Sequence, residues 1–96
     1  MIGIIFRKDK TNENVIAFFR ESFDGEYIDT YEHIGQHSSA SYSYYLNNTI
    51  PCNEEDYKGL LKELKDIGYE DIKMYKRLML NKPDDYIEWG LEEISL

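Results

Sequence analysis

The chain holds one cysteine, two prolines and one tryptophan in 96 residues. A lone cysteine forms no internal disulfide, which suits a reducing, cytoplasmic setting. No apolar run approaches 18 residues, so no membrane span is expected. The opening Met1–Arg7 stretch lacks a basic n-region and a cleavage site, so no signal peptide is expected. Basic charge is scarce. The net charge is −8, and Lys and Arg are missing from Glu21 to Tyr57, a span with eight acids. Nucleic-acid binders carry a basic stripe, so direct contact with DNA or RNA is disfavoured. The acid excess serves solubility or docking on a basic partner, including one whose groove normally holds nucleic acid.

The most telling absence lies in the middle. Residues His33 to Asn53 contain no Asp, Glu, Lys or Arg, 21 neutral positions in a chain that is 31% charged. Both histidines, the cysteine and Tyr42, Tyr44 and Tyr45 lie there. Charge depletion with tyrosine enrichment is the composition of an interface core. It also suits a pocket with a few placed polar groups.

What is present fits one small globular domain over residues 1–96, with 81–96 as a C-terminal extension. Ile2, Ile4 and Phe6 alternate along a first strand that runs to about Lys8. A polar turn at 9–14 leads to a second strand, Val15–Phe19, and the two form a hairpin. Tyr27 to Ile34 reads as a third strand by residue type and period. Gly35 and Gln36 end it, and Ser38 or Ser39 caps a short helix over 40–47 with Tyr42, Tyr45 and Leu46 on one face. Asn53 caps the main helix, 54–67, with Asp56 at the capping-box position. Tyr57, Leu60, Leu61, Leu64 and Ile67 form its apolar face, and Gly68 stops it. A strand follows from Ile72 to about Leu80. The tail fits a strand through Ile87, Trp89 and Leu91, or a helix through Ile87, Leu91 and Ile94. The fold class expected is α+β: a mostly antiparallel sheet of three to five strands, with helix 54–67 packed on one face.

Each chemical candidate has a plain alternative. His33 and His37 have the spacing of a helical metal pair, but Gly35 and the strand pattern argue against a helix. Four residues along a strand span about 13 Å, against metal bonds of about 2 Å. Only a turn at Gly35-Gln36 would bring them together, and neither Cys52 nor Glu32 is supported as a third ligand. Cys52 precedes a helix N-terminus, whose dipole lowers a thiol pKa. A nucleophile would need a histidine within reach and an orienting group, and a small residue in the loop before the helix is the simpler reading. The serines lack a Gly-x-Ser-x-Gly setting. Gly35 to Ser39 before a helix would make an anion-binding nest, but no phosphate-loop or dinucleotide fingerprint accompanies it.

The run Tyr31-Glu32-His33-Ile34-Gly35-Gln36-His37, with Ala40 and Tyr42, resembles the central motif of a family of small uncharacterised proteins of bacteria, phages and mobile elements. The likeness continues through Glu54-Glu55-Asp56-Tyr57, Leu60-Leu61, Glu63-Leu64 and Ile67-Gly68-Tyr69 to Lys76-Arg77. At the front, Ile5-Phe6-Arg7-Lys8 and Val15 to Phe19 are similar to that family's opening hairpin. Arg20 departs from a frequent Pro, and Cys52 from an expected Ala. The resemblance implies origin and fold and implies no reaction.

These readings converge on a cytoplasmic, non-enzymatic protein that binds a protein partner or small ligand, with homo-oligomerisation left open and no cofactor expected. The site residues expected are His33, Gly35, Gln36, His37, Ser39, Tyr42 and Tyr44. Inhibition of a host defence protein would follow from origin and acidity. The alternatives are a small metal-dependent enzyme using His33 and His37, and an acidic mimic of nucleic acid.

Overall fold

The computed structural model describes residues 2–76 and 78. The expected extension 81–96 and its strand-or-helix question lie outside the described residues. Among the described residues, six strands form one mixed sheet: β1 (Ile2–Asp9), β2 (Val15–Phe19), β3 (Tyr27–Glu32), β4 (Gln36–Ser41), β5 (Thr49–Pro51) and β6 (Ile72–Tyr75). Their order is β4-β3-β2-β1-β5. β5 runs antiparallel to the end of β1, from Arg7 to Asp9. β6 runs parallel to its beginning, from Ile2 to Ile5. Among the described residues the sheet is mostly antiparallel, as expected, with one parallel pair, β1–β6, and with six strands where three to five were expected. The α-helices among the described residues are α1 (Tyr42–Asn48) and α2 (Glu54–Asp66). Among the described residues, no helix is long and apolar enough to cross a membrane.

The sheet is covered on both faces, which is why Ile4, Ile5 and Phe6 are consecutive and all buried. One face meets α2. Ile4, Phe6, Ala17 and Tyr31 pack there against Tyr57, Leu60, Leu61 and Leu64, and the Phe6 and Tyr57 rings stack at 4.6 Å. The other face carries Ile5, Ile16, Phe18 and Ile28 against Tyr45, Tyr75 and Leu78.

Helix α2 forms where its caps dictate. The Asn53 side chain accepts from the Asp56 N–H at 3.0 Å, and the Asp56 carboxylate accepts from the Asn53 N–H at 3.1 Å, completing a capping box. At the other end Gly68 takes φ +116°. Its N–H donates to Lys65 O and the Tyr69 N–H to Leu64 O. That double bond is a Schellman stop, and it fixes where Tyr69 emerges. The helix ends at Asp66 rather than 67, and Ile67 is half exposed instead of lying in the core face.

The larger correction concerns the neutral tract. Residues 36–41 form a strand rather than the end of one, so β3 and β4 make a hairpin in register from Tyr27↔Ser41 to Glu32↔Gln36. The short helix starts at Tyr42 instead of 40. Its cap is Ser41, which accepts from the Tyr44 N–H, and not Ser38 or Ser39. Of the residues expected on one face of that helix, Tyr45 is buried and Leu46 is half exposed.

Candidate functional site

The β3–β4 turn is three residues, His33-Ile34-Gly35, with Gly35 at φ +62°. A carboxylate from α2 holds this turn. Glu63 accepts from the Tyr31 hydroxyl and from His33 Nδ1. An ionised carboxylate only accepts, so Nδ1 carries the proton. The Gly35 N–H donates to the Tyr31 hydroxyl at 3.0 Å and lies 3.3 Å from Glu63 Oε2. Hydrogen bonds from Tyr31, then His33, hold the Glu63 carboxyl below its ordinary range. The same carboxylate, then burial, pushes the Tyr31 phenol up. The His33 side chain is otherwise largely exposed.

His37 lies directly across from Tyr31 in the ladder. Their rings meet edge-on at 4.8 Å. His37 Nε2 is 2.9 Å from the Tyr69 hydroxyl, and the Tyr69 ring packs on Phe19 at 5.3 Å. Each histidine is thus engaged by a different group: His33 by helix α2, His37 by the residue after its stop. Among the described residues no group of three His, Cys, Asp or Glu side chains is arranged to hold a metal ion.

Beyond Tyr69 the α2 side of the sheet opens into a cleft of about 830 Å³. Its walls include Phe19, Ile2 and Tyr69, and its polar groups come from Glu21, Ser22, Asp29, His37, Ser38 and Ser39. Among the described residues, no Lys or Arg lines it. Glu21 is already committed, accepting from the Gly3 N–H at 2.7 Å and pairing with Arg20 at 3.1 Å. The arrangement offers aromatic surface, hydroxyls and negative charge to whatever enters.

The expected site residues therefore separate. His37 and Ser39 line the cleft. His33 and Gly35 form the clamped turn. Gln36 is exposed at the start of β4, in register with Glu32. Tyr42 and Tyr44 belong to the opposite face of the sheet. Tyr42 packs on Phe23 and Tyr45. The Tyr44 hydroxyl donates to Asp9, and burial, then that bond, raises its pKa. Cys52 runs against the dipole argument. Burial, then the Asp56 charge, pushes its thiol up to about 11. The amide nest is replaced by a strand. Glu63, Tyr69, Asp29 and Phe19 were missed. Tyr69 carried a signal, since it follows the helix-stop glycine; a glutamate on a charged helix carried none.

Comparison of the chain with protein-family models, curated proteins and solved structures gave no match.

Proposed function

We propose that this protein is a non-enzymatic binding module of phage or mobile-element type, acting in the cytoplasm and recognising a protein partner through the cleft beside β4. The observation that carries this reading is the cleft itself. It combines aromatic walls with hydroxyl, imidazole and carboxylate groups and, among the described residues, has no Lys or Arg in its lining. That is the chemistry of recognition. The thiol of Cys52 is held protonated at neutral pH, and both histidines are engaged in positioning the hairpin and Tyr69. Inhibition of a host defence protein is the role this reading favours, given the acidity of the chain.

A photo-crosslinking side chain at Ser39, compared with one at Lys58 on the exposed side of α2, tests the reading in host cells. A discrete adduct from Ser39 and none from Lys58 is expected. Equal adducts from both positions, or none from Ser39, would sink it.

A further inference from the structure

Among the described residues, β4 is the last strand in the sheet order. Edge strands are normally guarded by Lys, Pro, bulges or a covering element, because their outer amides invite another chain. Gln36-His37-Ser38-Ser39-Ala40-Ser41 contains no charge and no proline, and residues 36–39 are exposed. The ladder fixes which groups face outward. The Tyr42 N–H donates to Glu26 O, so the hydrogen-bonded positions fall on the same alternate register as that pair. Gln36, Ser38 and Ala40 then bond inward to β3. His37, Ser39 and Ser41 turn their N–H and C=O away from it. The Asp29 N–H confirms the alternation from the other strand, since it points away from Ser39 and donates to Ser22 Oγ at 2.7 Å. Among the described residues, the outward His37 and Ser39 amides have no hydrogen-bond partner.

We infer that β4 receives an extended, basic segment of a partner protein as an added strand, with a Lys or Arg side chain crossing Ser39 to Asp29. This rests on the cleft being the recognition site and names its occupant. The residues with outward amides are also those whose side chains face the cleft, His37 and Ser39. A strand paired to β4 therefore projects alternate side chains over the same cleft. Asp29 stands opposite Ser39 in the ladder, two strand spacings from the added strand, or about 9.6 Å. Ser39 is small enough for a long basic stem to lie over it. Charge decides the occupant. Among the described residues the lining includes no Lys or Arg, and with Glu21 paired to Arg20 its other carboxylate, Asp29, is left for a cation. A second copy would bring only its neutral β4 strand and a net charge of −8, and no cation for Asp29.

The probe is a seven-residue peptide, acetylated and amidated, alternating Lys with Thr and Val. Two controls accompany it, one with Glu for Lys and one N-methylated on the amides that would face β4. Amide exchange and titration by nuclear magnetic resonance provide the readouts. The Lys peptide should slow exchange at His37 and Ser39, and the Glu and N-methylated peptides should not bind. Asp29→Asn should weaken the Lys peptide about threefold to fivefold, and Ser39→Lys should block it. Ser39→Ala, which keeps the amide, should still bind. Cleft perturbation without amide protection, or equal binding of the N-methylated peptide, would overturn strand addition while leaving the cleft as a binding site. Equal binding of the Glu peptide would overturn the charge assignment. A dimer lost on Ser39→Lys would make the occupant a second copy. Failure of all three peptides overturns this inference alone; absence of any Ser39 crosslink in cells overturns the reading beneath it.

Discussion

Substituting Leu64 by Ala tests how the cleft is built. Leu64 is fully buried between α2 and the sheet, and its carbonyl also accepts from Tyr69 in the helix stop. Losing the branch beyond Cβ forfeits about 2.4 kcal/mol of transfer energy at about 0.8 kcal/mol per methylene. The residual cavity raises the expected loss to about 3–4 kcal/mol. With a urea slope of about 1.3 kcal/mol/M, the midpoint should fall by about 2–3 M. Ile67→Ala is the matched control. The periodic pattern puts Ile67 on the same face, but it is half exposed, so its loss should stay within about 0.5 kcal/mol. Urea unfolding followed by tyrosine fluorescence and far-ultraviolet dichroism reads both. If Leu64→Ala costs under about 1 kcal/mol, or Ile67→Ala costs as much, the packing of α2 is wrongly assigned.

The Glu63 carboxyl is held below its ordinary pKa by Tyr31 and His33. Its stabilising effect is therefore complete above the ordinary carboxylate range and lost as pH falls through the depressed value. Glu63→Gln should flatten the acid limb of stability between pH 7 and pH 3, and an unchanged acid limb would count against the clamp. Gly35→Ala should cost about 1 kcal/mol, because the left-handed backbone is disfavoured for alanine. Nothing lies within 4 Å of the added Cβ, so strain is the whole cost, and an unchanged urea midpoint would contradict it. With its thiol pushed up to about 11, Cys52 should react slowly with iodoacetamide at pH 8 in the native protein and quickly in urea. Equal rates would show that the thiol is not sheltered.

The elements legible in the sequence were those whose patterns are local. β1, β2 and β3 show alternation or β-branched runs, and α2 shows Asn53, Asp56 and Gly68 at its ends. β4 was invisible because Gln36 to Ser41 has no β-branched or large apolar residue; it is a strand because β3 supplies its partner. β5 is three residues long and ends in Pro51, which reads as a turn until β1 pairs with it. The parallel pairing of β6 with β1 is a tertiary event with no local mark. The same holds for the site. The neutral tract pointed to His37 and Ser39, but the tract also passes through both faces of the sheet, so Tyr42 and Tyr44 fall elsewhere. Glu63 lies 30 residues from His33, and only the folded hairpin brings them together.

The claim that the neutral hairpin serves recognition is tested most directly by comparing stability with partner recovery in three variants. Urea midpoints and crosslinked partner yield are measured side by side for His37→Ala, Ser39→Lys and Tyr44→Ala. The cleft variants, His37→Ala and Ser39→Lys, should keep near-native midpoints and lose the partner. Tyr44→Ala, on the opposite face and bonded to Asp9, should lose stability and keep the partner while folded. If partner yield instead falls in proportion to the midpoint across all three, the tract is architecture and the recognition surface lies elsewhere.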